Sequence, residues 1–254
     1  MTKMMITGAS GKLGTVLVRL FPSSLHPTHK ELELSNREAV FNYIAEHRPS
    51  IIVHTAALTG VRECEEDKSK AWKSNVLGTE NLVDACQKHN KQAYFAYVST
   101  ACIFDGYRGF YTEEDIPNPE NFYALTKLLG EFVVKKLPDY IIIRTNFVAK
   151  EKWRFPQAFA DRFGTYLFAE DVARGIDDVI KSKLQGIVHI CGNRKLSMLE
   201  LARITTPDVQ PMTMSGYVGP RLTIDMTLDT IRWKKYEISR LNDMSQASWQ
   251  SERR

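Results

Sequence analysis

The chain has 254 residues, with 34 basic and 30 acidic side chains, a formal charge of +4, and 43% hydrophobic residues. That is ordinary globular composition, long enough for a sizeable core and for one or two domains. So small and well-mixed a charge gives no footprint for nucleic acid or a membrane surface, and no apolar run reaches the ~20 residues that span a bilayer.

Residues 3–7 (KMMIT) form a short apolar run ending at glycine, and residues 12–21 (KLGTVLVRLF) repeat apolar positions at helical spacing. Residues 50–54 (SIIVH) predict a second strand. Residues 72–89 predict a long amphipathic helix entered near 67–70, and 92–99 (QAYFAYVS) a third strand. A helix over 122–137 stops at Pro138, and strands over 140–145 (YIIIRT) and 186–191 (GIVHIC) enclose a helix over 171–181. Strands so uniformly apolar are covered on both faces, which points to a parallel sheet flanked by helices. The expected fold class is therefore α/β, a Rossmann-type doubly wound parallel sheet. Residues 1–146 would form the dinucleotide-binding domain. Residues 147–241 would mix a small, shortened substrate lobe with a returning strand and helix, and 242–254 read as a polar tail. Ligands on such sheets bind beyond the strands' carboxyl ends, here after Thr7, His54, Ser99 and Thr145.

Cys64, Cys86, Cys102 and Cys191 form no CxxC pair and no metal-ligand cluster with histidine. Reduced thiols in a cytoplasmic protein, with no metal, are the expectation. The opening MTKMMITGAS reaches glycine too soon for a secretory hydrophobic region.

Gly8, Gly11 and Gly14 give G-x-x-G-x-x-G between the first strand and first helix. Gly8 permits the tight turn, Gly11 lets backbone amides approach a pyrophosphate, and Gly14 lets the helix pack closely. Residues 23–30 (SSLHPTHK) carry no carboxylate to bind a free ribose hydroxyl but do carry His26, His29 and Lys30. Lys30 and its neighbours lean toward a 2′-phosphate, hence NADP over NAD.

Tyr123 and Lys127 form Y-x-x-x-K, a spacing that puts both on one helical face. There the ammonium is expected to lower the phenol's pKa and let it act as an acid near neutrality. Chance supplies such a spacing easily, so context decides. Ser99 and Thr100 end the third strand, where a hydroxyl can hold the oxygen that Tyr123 protonates.

The order of glycine loop, strand-end hydroxyl and YxxxK resembles the extended short-chain dehydrogenases/reductases. Residues 99–106 (STACIFDG), 110–114 (FYTEE) and 117–131 (PNPENFYALTKLLGE) resemble the dTDP-4-dehydrorhamnose reductase (RmlD-like) family more closely. So do 75–82 (NVLGTENL), 142–145 (IIRT), 164–173 (GTYLFAEDVA) and 228–230 (LDT). The resemblance implies reduction of a nucleotide-linked 4-keto-6-deoxy sugar by NAD(P)H. By position it assigns the cofactor to Gly8, Ser10, Gly11, Lys12, Leu13 and Gly14, to Glu33 and Leu34 beside the adenine, and to Ala56, Ala57 and Thr59. Thr100, Tyr123 and Lys127 would be the catalytic set, with Tyr123 the acid and Lys127 its tuner and ribose ligand. Substrate contacts fall on Thr100, Phe104, Phe147, Trp153 and Arg221, with Arg62 either a further cleft cation or plain surface. Besides the nucleotide sugar, the resemblance leaves room for a homodimer.

Two departures stand out. Ala101-Cys102 replaces the family's usual Asp-Tyr, and residues 100–104 (TACIF) are similar to the epimerase/reductases of nucleotide sugars, whose cysteine exchanges protons beside the ketone. Cys102 thus raises a 3,5-epimerase/4-reductase alternative. Only 18 residues separate Thr145 from Gly164, fewer than the family carries, so the sugar lobe is shortened. A third reading is a non-catalytic dinucleotide-binding regulator, like the beta subunit of methionine adenosyltransferase, which the intact Thr100/Tyr123/Lys127 set argues against.

Overall fold

The computed structural model describes residues 3–239; the expected tail at 242–254 lies outside them. The first strand, β1 (Met4–Thr7), is wholly buried, and α1 (Lys12–Leu20) follows it through the glycine loop. α2 (Arg37–His47) comes next, then β2 (Ile51–His54). α2 is absent from the sequence expectation, because only Val40 and Ile44 of its eleven residues are buried and its apolar periodicity is faint. Its start signal is local instead: Asn36 accepts a hydrogen bond from the Ala39 N–H, an N-cap.

α3 (Val61–Glu66) and α4 (Lys68–Trp72) lead into a π-helical turn (Lys73–Leu77) that continues as α5 (Gly78–His89). The long helix expected over 72–89 is therefore real but widened in its first turns. β3 (Tyr94–Thr100), α6 (Phe122–Val134) and β4 (Tyr140–Thr145) complete the half that holds the expected chemistry.

Beyond β4 the elements shorten. β5 (Phe147–Val148), β6 (Gln157–Phe159), β7 (Phe163–Gly164) and β8 (Leu167–Phe168) precede α7 (Ala169–Lys181) and β9 (Gly186–Ile190). β10 (Leu196–Ser197), α8 (Met198–Thr205), β11 (Gln210–Met212) and β12 (Asp225–Met226) follow. Ser197 and Glu200 start α8 with a reciprocal capping box.

The main sheet is parallel, in the order β1-β2-β3-β4-β9. Leu25 bridges to the outer edge of β1, exchanging bonds of 2.7 and 2.8 Å with Ile6 and Met4. The chain thus steps to one side of β1, then crosses to β2 on the other, which makes β1 the switch point where such sheets bind ligands. α1 and α7 bury one face of the sheet, with Leu13, Leu17, Val172 and Ile176 fully or nearly buried. α2, α5 and α6 bury the other through Ile44, Leu82 and Val134. The remaining short strands pair as β10-β7-β12, β11-β6 and β5-β8. Their small core gathers Ala158, Leu199, Ala202 and Val209. No helix among the described residues is long and apolar enough to cross a membrane.

Candidate active site

At the carboxyl edge of the sheet the register aligns Thr7 with His54, His54 with Tyr97, and Thr100 with Thr145. A cleft of about 960 Å³ opens there between four segments: 7–11, 26–35, 55–58 and 67–74. Gly8 adopts φ +72°, the left-handed region that glycine tolerates, and a Cβ on it would lie 2.6 Å from the Ala56 nitrogen. A Cβ on Gly14 would lie 2.1 Å from the Gly8 carbonyl oxygen, so α1 seats against the loop only without a side chain. The N-terminus of α1 has no side-chain cap and no acidic residue in its first turn. Its open N–H groups and dipole suit a phosphate.

Of the expected cofactor residues, Gly8, Ser10, Gly11, Glu33, Leu34, Ala56 and Ala57 line this cleft. Lys12, Leu13, Gly14, Lys30, Thr59, Tyr123 and Lys127 do not. Leu13 is 3% exposed and its side chain belongs to the core, so only its backbone can face a phosphate. Lys30 is exposed outside the lining, whereas His26, Thr28 and His29 are within it. His29 pairs with Glu33 at 2.7 Å, and Glu33 also accepts from the Ser35 N–H and hydroxyl.

Sequence reasoning missed Ser69, Lys70, Lys73 and Ser74, which form the cleft's remaining wall. Ser69 and Lys70 come from α4 and Lys73 and Ser74 from the π-turn, which also turns Asn75 inward. The Asn75 amide accepts from the Leu58 N–H and donates to the Leu58 carbonyl and the Thr126 hydroxyl, at 2.7 to 2.9 Å. Thr126 in turn donates to the Tyr123 carbonyl. Extra turns of this kind recur at functional sites, and no hydropathy pattern betrays them.

Thr100 ends β3; its hydroxyl accepts the Cys102 N–H at 3.1 Å and lies close enough to the Tyr123 phenol to favour its ionised form. Tyr123 and Lys127 lie one turn apart on α6, as the spacing requires. The expected electrostatic effect differs. The Lys127 ammonium sits 4.1 Å over the Tyr97 ring, and burial, not Lys127, dominates the phenol: it pushes Tyr123 well above the usual tyrosine range. Burial also pulls Lys127 down to about 7, against the opposing pull of Glu131. His54, fully buried between the Thr7 and Thr79 hydroxyls, drops to about 3 and stays neutral.

Beneath Lys127 lies a buried ion pair. Arg144 binds Glu131 through two nitrogens at 3.1 and 2.8 Å, and the Ser99 hydroxyl donates to the same carboxylate at 2.6 Å. One more nitrogen of Arg144, Nη1, has no hydrogen-bond partner among the described residues.

The expected substrate residues scatter. Phe104 is fully buried, stacked on Tyr111 at 4.4 Å and facing the Arg144 guanidinium; it is a core residue and does not reach the cleft. Phe147 packs on the sheet core beside α7. Trp153 packs on the small lobe core and donates to the Gln157 carbonyl, away from Tyr123. Arg221 is exposed and paired with Glu120 at 2.9 Å, but its carbonyl accepts from Asn121, the N-cap of α6. Arg62 reaches the Val218 carbonyl. These two bonds hold the 218–221 strap over the start of α6. Cys102 is 9% exposed, and its thiol donates to the Met226 sulfur at 3.3 Å.

Comparison with known proteins bears on the family and the fold. Residues 2–220 match the model of the RmlD substrate binding domain. The chain is 36% identical over 230 residues to a dTDP-4-dehydrorhamnose reductase of Aggregatibacter actinomycetemcomitans, covering 80% of this chain and 77% of that one. Among solved structures, a dTDP-4-dehydrorhamnose reductase ortholog of Clostridium acetobutylicum superposes with a TM-score of 0.82 at 29% identity, over 89% of this chain and 90% of the other. The dTDP-4-dehydrorhamnose reductase of Bacillus anthracis, solved in complex with NADP, gives 0.82 at 28% identity over 90% of both chains. The chain belongs to the RmlD family of extended short-chain dehydrogenases/reductases.

Proposed function

We propose that this chain is an NADP-dependent reductase of a nucleotide-linked 4-keto-6-deoxy sugar. The observation that carries the reading is Tyr123 one helical turn from buried Lys127, with the Thr100 hydroxyl near the phenol at the carboxyl end of β3. The cleft suits a dinucleotide: it has a glycine loop, an uncapped helix start and an apolar wall at Leu34 and Ala56. His26 and His29 line the wall where a 2′-phosphate would lie, with His29 held there by Glu33.

A nicotinamide cofactor held by the glycine loop would supply the hydride for the keto carbon. Tyr123, held protonated by burial, donates its proton to the resulting alkoxide oxygen, and Thr100 hydrogen-bonds that oxygen. Lys127 in its ammonium form binds ribose hydroxyls and stabilises the tyrosinate left behind. The four thiols are free and buried, which supports a cytoplasmic setting.

An epimerase role for Cys102 finds no support, since its hydrogen bond goes to a thioether, which cannot take the proton. A purely regulatory role leaves the Thr100–Tyr123 pair without a task. Tyr123→Phe tests the proposal: turnover of NADPH with a 4-keto-6-deoxy sugar nucleotide falls about 10²- to 10⁴-fold while NADP affinity is kept. A parent protein inert toward the dTDP, UDP and GDP keto-sugars overturns it.

A further inference from the structure

Three hydrogen-bond donors converge on one sulfur. Met226, 1% exposed on β12, receives the Cys102 thiol at 3.3 Å, the Arg162 Nη2 at 3.3 Å and the Asn146 amide at 3.6 Å. A thioether is a weak acceptor, and guanidinium and amide groups bond oxygens far better. Next to this cluster is a polar atom with no hydrogen-bond partner among the described residues. The Tyr166 hydroxyl is buried without a hydrogen bond in a side chain 1% exposed. A Cβ on Gly164 would lie 2.8 Å from the Tyr166 ring carbon Cζ and 2.9 Å from the Asn146 amide nitrogen, so phenol and amide flank that glycine. Arg162, Cys102 and Asp225 are close enough to act electrostatically on the phenol. Buried groups of this kind rarely go unbonded in a finished site.

The position is adjacent to the chemistry. Cys102, Tyr166 and Met226 belong to one packed cluster, and Tyr123 packs against it. Arg162 and Asn146 are half-buried, whereas Cys102, Tyr166 and Met226 are buried.

We propose that Arg162, Asn146 and Tyr166 form a sugar-oxygen subsite beside Tyr123, with the Met226 side chain as its displaceable floor. The proposal rests on the reductase reading above. Two N–H donors and a hydroxyl able to donate or accept match vicinal ring hydroxyls. Methionine suits the floor because its unbranched side chain repacks readily around what it touches. Substrate hydroxyls would replace the sulfur as partner for Arg162 and Asn146, and would give the Tyr166 hydroxyl its missing bond.

Calorimetry on the NADP-loaded protein tests this. The probes are dTDP-rhamnose, UDP-rhamnose and GDP-fucose, each set against its free nucleoside diphosphate. For the sugar nucleotide that the parent binds tightest, Tyr166→Phe weakens binding about 3- to 10-fold and Arg162→Met about 10- to 100-fold. The nucleoside diphosphate and NADP bind as before. Tyr166→Phe removes only an unbonded hydroxyl, so its melting temperature is held or raised, which separates recognition from folding. Met226→Ala keeps or tightens sugar binding, because no floor needs displacing. If both recognition variants bind sugar nucleotide and free diphosphate in the parent's ratio, the subsite is overturned and the reductase reading stands. If the parent binds no sugar nucleotide while binding NADP, both fall.

Discussion

Lys127 is a cation that burial drives toward neutrality at the place where the reaction needs its charge. It is 3% exposed, its ammonium lies on the Tyr97 ring, and its pKa of about 7 sits far below a free lysine's. The ammonium is the form that binds ribose hydroxyls, and above pH 7 the unliganded protein progressively loses it. Cofactor affinity is therefore expected to fall as pH rises from 7 to 9, by up to about tenfold per pH unit. Lys127→Met should bind more weakly and lose that pH dependence, as titrations of NADP binding between pH 6 and 9 would reveal. A parent affinity flat across the range refutes it. The sequence spelled out the Tyr123–Lys127 pairing, because a spacing of four is a property of any helix. It could not show that the ammonium lies over Tyr97, since that contact joins residues 30 apart through the packing of α6 on β3. Phe104 teaches the same lesson in reverse: its place in a motif suggested a ligand contact, and stacking on Tyr111 takes it into the core.

At the scale of elements, α6 is fixed to the sheet by charge as well as by apolar packing. Glu131 on α6 meets Arg144 on β4 and Ser99 on β3, and both charged side chains are at most 3% exposed. Breaking a buried pair by removing one partner leaves the other charge uncompensated. Glu131→Ala should thus lose about 3–5 kcal/mol in urea unfolding, far more than an exposed pair such as Arg221–Glu120 could contribute. A loss under 1 kcal/mol would mean that Arg144 finds water. The glycine loop makes a second element-scale demand. Gly14→Ala drives a methyl into the Gly8 carbonyl, so it should cost about 1–3 kcal/mol of stability and weaken NADP binding as α1 tilts away. Equal NADP affinity in parent and variant would refute the close-packing role. The glycine spacing was legible because it encodes backbone approach directly. α2 was not, since a helix that buries only Val40 and Ile44, with Ala39, Phe41 and Tyr43 half-buried around them, carries almost no periodic signal. The π-turn over Lys73–Leu77 hid for another reason: it is set by Asn75 bonding to Leu58 and Thr126, contacts that form only in the folded chain.

Across the whole molecule, burial is unevenly shared. β1 to β4 and β9 are sandwiched between helices whose inward residues are almost entirely excluded from solvent. The lobe of β6, α8 and β11 has its own small core of Ala158, Leu199, Ala202 and Val209, and its strands are two or three residues long. The sequence showed the shortening between Thr145 and Gly164, and the structure gives its consequence: little apolar area is left to hold the lobe. Local opening free energies follow such differences in buried contact. Amides of 157–159 and 199–212 should therefore exchange with deuterium well before those of β1, β3 and β4. The substrate strap adds a second layer to the expectation. Arg62 and Asn121 tie the 218–221 segment to α3 and α6 through carbonyls alone, bonds that a nucleotide sugar beneath the strap would reinforce. Adding a sugar nucleotide to the NADP complex should slow exchange in the strap and lobe while leaving the sheet unchanged. Uniform protection across lobe and sheet without ligand would show that the short strands are held as firmly as the core, and would remove the lobe as the part that closes on substrate.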